Sequence, residues 1–188
     1  MNKDLSKDCS EILFSSREIQ SRVAQVAMII SDTYPHAREC PLVVGVLKGC
    51  LYFFADLTRK LTFPHEVAFM SVSTYCGGTE STGKLQITQE LTCSVVGRHI
   101  LIVEDIIDSG ITLAMLKELF LQQGALSVTI VTLLNKREGR KFDIAPDYCC
   151  FDVKNEFVVG YGLDYKELYR DLPFVGILKE EVYERDKS

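Results

Sequence analysis

The chain has no excess of positive charge, no long apolar run and no paired-cysteine motif, and each absence removes a class of function. Its 26 acidic residues outnumber 21 basic ones, for a net charge of −5. A surface built to follow a phosphate backbone or an anionic membrane needs clustered Lys and Arg. Nucleic acid and membrane are therefore not expected partners. No segment nears the roughly 18 apolar residues of a membrane span. The opening residues, MNKDLSKDCS, are polar and charged, without the apolar stretch of a signal peptide. A cytoplasmic location is the expectation. Cysteine occurs seven times, at irregular spacings. Cys149 and Cys150 are adjacent and there is no C-x-x-C, so cysteine-based zinc and redox motifs are absent. The thiols read as reduced, small hydrophobic residues, with a regulatory thiol as the alternative.

What is present is enough apolar material for one domain: 188 residues, 47% of them hydrophobic. Pro41–Leu47, Val67–Ser73, His99–Val103 and Val128–Leu134 are strand-length, and several are apolar at both parities. That pattern suits strands buried on both faces of a parallel sheet. Helices are expected between them. Ser15–Ser31 opens with Ser15-x-x-Glu18, a capping box, and carries Ile19, Val23, Val26 and Ile30 on one face. Leu51–Leu61 and Thr112–Gln123 show similar stripes, and Gly124 suits a helix C′ position.

The alternation predicts an α/β fold with a mainly parallel sheet flanked by helices. A single domain, 1–188, is expected, with a core over about 36–150. The irregular tail, from about 151 to 188, is expected to form, with the N-terminal segment, a small hood over the strand C-terminal ends. Ligands of open α/β sheets bind at the carboxyl ends of strands. That directs attention to the loops after Leu47, Thr74, Val103 and Leu134.

In LIVEDIIDSGIT, Leu101–Thr112, an apolar strand runs into Glu104 and Asp105. Adjacent acids repel and favour a cation such as Mg²⁺, or the two donors of a ribose diol. A solvated acid pair is the plainer reading. Asp108, Ser109, Gly110, Ile111 and Thr112 follow, hydroxyl-rich and opening a helix. Helix N-terminal amides and two hydroxyls make an anion pocket; simple capping by Asp108 or Ser109 explains only one of these residues. Lys48-Gly49 after a buried strand could approach a phosphate closely or be a lysine at a strand end with its charge in solvent. Ser73–Gly83 reads as a mobile loop or a plain hairpin connection. Phe157–Val159 reads as a short buried strand, and Asp164 with Arg170 as a structural ion pair.

LIVEDIIDSGIT resembles, position by position, the PRPP motif of the type I phosphoribosyltransferases. The resemblance spans about Val43 to Leu178 and narrows to the hypoxanthine-guanine subfamily. It implies that Glu104 and Asp105 hold the ribose hydroxyls and Mg²⁺. Ser109, Gly110, Ile111 and Thr112 form the 5′-phosphate loop. Asp108, the catalytic residue, exchanges a proton at purine N7; a carboxylate is a base at pH 7. Lys48, Gly49 and Arg170 bind pyrophosphate, in a loop where the peptide before the lysine is often cis. Thr74 and Tyr75 belong to a lid that excludes water. Phe157 stacks on the purine, Val158 reads its edge through the backbone, Lys136 donates to O6, and Asp164 binds a second Mg²⁺. Four positions depart from common members: Thr74 for Ser, Cys50 for a small residue beside the pyrophosphate loop, and Glu156 and Ile111, where other members often carry Lys.

The implied reaction is PRPP plus hypoxanthine or guanine giving IMP or GMP and pyrophosphate. The enzyme would mainly position, neutralise the leaving group and exclude water. A xanthine-preferring transferase is the nearest alternative. A PRPP-sensing regulator that binds nucleic acid is another, but the chain is acidic and every catalytic position is filled. The family implies a homodimer or homotetramer; no sequence feature identifies the interface.

Overall fold

The computed structural model describes residues 4–74 and 85–184, which fold around two sheets. In chain order the elements are β1 (Cys9–Phe14), α1 (Ser16–Thr33), β2 (Leu42–Leu47), α2 (Leu51–Thr58), β3 (Glu66–Thr74) and β4 (Leu85–Gln89). Then come β5 (His99–Ile107), α3 (Ile111–Gln122), β6 (Ser127–Lys136), β7 (Tyr148–Val153), β8 (Val158–Val159), β9 (Val175–Leu178) and α4 (Glu180–Glu184). The main sheet has the order β4-β3-β2-β5-β6-β7 and is parallel except for β4. This is the expected α/β fold.

The apolar runs follow from having both faces covered. Leu42, Val44, Val46, Ile100 and Ile102 pack with Leu113, Leu116 and Phe120 of α3. Their chain neighbours Val43, Leu101 and Val103 pack with Ile19, Val23 and Ile30 of α1 and Phe53 and Leu57 of α2. Successive strand residues point to opposite faces, so a doubly covered sheet needs apolar side chains at both parities. The capping box of α1 is closed in both directions: the Glu18 N–H donates to Ser15 Oγ, and the Ser15 N–H to Glu18 Oε2 at 2.8 Å. Gly124 takes φ +91 just past the end of α3.

Some boundaries differ from expectation. β5 continues past Val103 to Ile107, and β6 past Leu134 to Lys136. The β5–β6 ladder persists through Glu104↔Thr132 and Ile107↔Asn135, while β2 stops pairing with β5 at Val103. Glu104 and Asp105 are thus strand residues with a neighbour on one side only. Hydrogen-bond partners, not apolarity, set where the strand ends. α2 stops at Thr58 rather than Leu61. Phe157 lies outside β8 and is 42% exposed, not buried. β1, β4, β7 and β9 are additional strands, and β7 carries the main sheet to Val153.

The second sheet has the order β1-β9-β8 and joins the N-terminal segment to the tail. It is the expected hood. Its link to the main sheet passes beside the carboxyl end of β2, where Gly162 meets the backbone of Gly49. Tyr161 donates from its hydroxyl to Asp56 of α2 at 2.6 Å. The six described cysteines are free thiols.

Candidate active site

The main sheet changes direction between β2 and β5: the chain continues outward to β3 on one side and to β6 on the other. Ligand crevices of open α/β sheets form at such a point, outside the strand carboxyl ends. The loops from both strands close on each other there. A Cβ on Gly49 would stand 1.7 Å from Asp105 Oδ2, and one on Gly162 would stand 1.9 Å from the Gly49 carbonyl oxygen. Gly162 also takes φ +107, which favours glycine. The Leu47–Lys48 peptide is cis.

Glu104 and Asp105 are withdrawn from water. Burial pushes the Glu104 carboxyl well above the usual range, and the Asp105 charge and the hydrogen bond between the two acids add to this. Burial also raises Asp105, partly relieved by the bond from Glu104, by the Ile106 N–H at 2.9 Å and by the Arg170 charge. Both carboxyls are thus pushed towards the neutral form, and each bears on the other. Glu104 Oε2 is buried with no hydrogen-bond partner among the described residues. Hard carboxylate oxygens, one of them unmatched, fit a divalent cation or hydroxyl donors. The pair thus passes the chemical test for Mg²⁺.

Beyond β5 a cavity of about 110 Å³ is lined by Glu104, Asp108, Ser109, Gly110 and Thr112, among others. Gly110 takes φ +80 as α3 begins, and the Ile111 N–H donates to Ser109 Oγ at 3.4 Å. Ile111 opens the helix and does not line the cavity. The first-turn amides of a helix lack intrahelical partners and carry the positive end of its dipole. An anion is the natural occupant.

Lys136 closes β6 with Nζ 3.4 Å from Asp108 Oδ2. A carboxylate from the loop after β5 and a cationic donor from β6 thus stand side by side. Lys48 Nζ pairs with Glu167 Oε2 at 2.8 Å. Arg170 pairs with Asp164 at 2.8 Å, the foreseen ion pair, and with Glu167 at 3.3 Å. Val158 is buried in β8. Phe157 stacks on Tyr183 at 5.3 Å and meets Tyr165 edge-on at 5.6 Å. Thr74 ends β3; Tyr75 lies outside the described residues.

Three contributors were missed in the sequence. Glu167 sits between Lys48 and Arg170, and its partner Lys48 is 119 residues away. Arg140 braces the loop between β5 and α3: Nε donates to the Asp108 carbonyl at 3.0 Å, Nη2 to Asn135 Oδ1 at 2.6 Å, and Nη1 to the Ile144 carbonyl. Gly139 admits the Asp108 carboxylate, since a Cβ there would lie 2.0 Å from Oδ1. The only sequence hint was a glycine among charged residues just after a strand.

The chain matches the phosphoribosyl transferase domain family over residues 11–166. It is 48% identical to the hypoxanthine-guanine phosphoribosyltransferase of Streptococcus pneumoniae over 179 residues, 95% of this chain and 98% of that protein. It is also 48% identical to the protein of the same name from Bacillus subtilis, over 96% of this chain and 99% of that one. A crystal structure of a hypoxanthine phosphoribosyltransferase from Staphylococcus aureus matches with a TM-score of 0.90 at 43% identity, covering 97% of this chain and 98% of that one. Near-complete coverage, shared sequence and shared fold agree: the chain belongs to the phosphoribosyltransferase family, in its hypoxanthine-guanine branch.

Proposed function

We propose that the chain transfers the phosphoribosyl group of PRPP to N9 of hypoxanthine or guanine, giving IMP or GMP and pyrophosphate. The observation that carries this reading is the approach of Lys136 to Asp108 beside the anion cavity. A 6-oxopurine offers a proton at N7 next to an acceptor at O6. Asp108 accepts the first and Lys136 donates to the second. An adenine amino group cannot accept that bond, and an unpaired buried donor is costly.

In the reaction the C1′–O bond to pyrophosphate breaks and the C1′–N9 bond forms. The N7 proton passes to Asp108. Ser109, Gly110 and Thr112, with the first-turn amides of α3, hold the 5′-phosphate. Glu104 and Asp105 hold the ribose hydroxyls and a Mg²⁺, and Asp164 a second one. Bound Mg²⁺ supplies positive charge against the leaving pyrophosphate. Lys48 and Arg170 bind that group once it takes the place of the carboxylates now paired with them. Phe157 covers the purine face, the Val158 backbone reads its edge, and Thr74 and Tyr75 close over the centre. The enzyme works in the cytoplasm as a homodimer or homotetramer; among the described residues, no helix is long and apolar enough to cross a membrane.

Initial rates with PRPP, Mg²⁺ and each of hypoxanthine, guanine, xanthine and adenine test the reading. Hypoxanthine and guanine should turn over fastest and adenine should not react. A highest kcat/KM for xanthine would overturn the base preference. No turnover with any base would favour a PRPP-sensing role instead.

A further inference from the structure

The amino ends of the strands, opposite the site above, gather two of the chain's three histidines and a glutamate. His99 opens β5, and His36 and Glu39 lie in the turn before β2. The two imidazole rings are parallel, 3.5 Å apart with 7° between their planes. Glu39 spans both, with Oε1 3.1 Å from His36 Nδ1 and Oε2 3.0 Å from His99 Nε2. One ligand atom from each residue lies within 4.8 Å of the others. From His99 to Glu104 along β5 is about 16 Å, at about 3.3 Å per residue.

We infer that His36, Glu39 and His99 form a binding site for a transition-metal dication of the zinc class, separate from the proposed Mg²⁺ positions. Two imidazole nitrogens and a carboxylate make a zinc ligand set that leaves a fourth position to water. Imidazole suits zinc-class ions, whereas magnesium takes oxygen ligands. The spacing agrees as well. Tetrahedral bonds of about 2.0–2.2 Å give ligand-to-ligand edges of about 3.3–3.6 Å. With one ligand atom from each residue within 4.8 Å of the others, side-chain shifts of about 1 Å bring the three to those edges.

One ligand is also oriented. His99 Nδ1 is 2.8 Å from Ser127 Oγ, which holds the ring with Nε2 towards Glu39. A second hydrogen bond of this kind is usual for a metal-bound histidine. His36 now lies flat on the His99 face, so its ring must turn out of this stack to aim its in-plane lone pair at an ion in the His99 plane; its place on a surface turn allows that. Arg98, next to His99, is occupied by Glu66 at 2.9 Å and does not compete for Glu39. Glu39 is 55% exposed, which gives an ion a way in. Without metal, the ring nitrogens that face Glu39 can donate their N–H to it. On binding, the ring proton of His36 moves to Nε2 and that of His99 to Nδ1, facing Ser127. Each freed nitrogen lone pair then bonds the ion. The ion clips the turn before β2 to the first residue of β5.

Calorimetric titration of Zn²⁺ into the metal-free full-length protein, with Co²⁺ absorption as a second readout, tests this. One Zn²⁺ per chain, four-coordinate Co²⁺ bands without thiolate charge transfer, and a raised Tm are expected. Ser127→Ala should weaken Zn²⁺ binding about tenfold, and His36→Gln and His99→Gln by more than the roughly 100-fold upper range of such outer-shell losses. Phosphoribosyl transfer with Mg²⁺ should be unchanged in all three, so failure here is distinct from failure of the proposed activity. His36 lies on a surface turn, so its variant tests the site even if His99→Gln does not fold. No Zn²⁺ binding by the wild type, wild-type affinity in His36→Gln, or a thiolate signature would overturn the inference.

Discussion

At the amino ends of the strands, Glu39 has both carboxylate oxygens engaged, by His36 and His99. At the carboxyl ends, Glu104 keeps Oε2 buried and unmatched beside a second acid. The hydrogen bond with His36, then the charge and hydrogen bond of His99, hold Glu39 below the usual carboxylate range against some loss of hydration. Burial drives Glu104 the other way. The Glu39 carboxylate is matched within the protein, whereas the Glu104 carboxyl has an oxygen left for a ligand to match. A buried carboxyl left unpaired is destabilising, and the proposed function gives it a partner in the bound ligand.

The largest test of this contrast is Asp108→Asn. It should lower kcat by about 10²–10⁴-fold, the range of general acid–base catalysis, with Tm and PRPP affinity nearly unchanged. Loss of PRPP affinity with kcat intact would contradict the assignment. Gly162→Ala forces a Cβ onto the Gly49 carbonyl at a positive φ. A loss of about 3 kcal/mol is expected by denaturant titration, with a raised KM for PRPP.

Glu104→Gln should act in the opposite direction on stability. A carboxyl whose folded-state pKa is raised stabilises fully below its unfolded value, 4.5, and loses that contribution as pH rises through the folded value. The metal-free variant should therefore gain about 1 kcal/mol at neutral pH, a Tm rise of about 2–4 °C, and lose the wild-type decline above pH 4.5. Mg²⁺-dependent PRPP binding should weaken in the same protein. Glu39→Gln gives the smallest effect and the reverse sign. A depressed carboxyl contributes above its unfolded value, also 4.5, and loses that contribution as pH falls through the folded value. This variant should show a slightly lower Tm at neutral pH and converge with wild type in acid. Equal pH slopes for the two variants would remove the contrast.

The carboxyl end was legible where its parts are contiguous. LIVEDIIDSGIT holds a strand, an acid pair and a helix start in one stretch, and the capping box and Gly124 announced helix limits through local chemistry. Residues whose work is done by distant partners were not legible. Nothing in Glu167 or Arg140 specifies Lys48 or Asp108 as a neighbour; the turn of β2 toward the hood and the bend after β6 do that. β1, with an exposure pattern running mostly outward, lacks the apolar run that betrayed the central strands. The His36–Glu39–His99 group escaped notice because His99 reads as the edge of a strand and its partners lie some sixty residues earlier.

The pairing of β1 with β9 also bears on how the protein is made. The Ser10 hydroxyl donates to the carbonyl of Ile177, 167 residues later. At about 5–20 residues per second of synthesis, β1 waits roughly 8–35 seconds for its partner strand. During that interval β1 is an unpaired edge, open to pairing with other chains. β5 and β6 can already have formed their parallel pair by then. A nascent chain would thus assemble the half of its crevice proposed to hold the phosphoribose well before the half proposed to read the base.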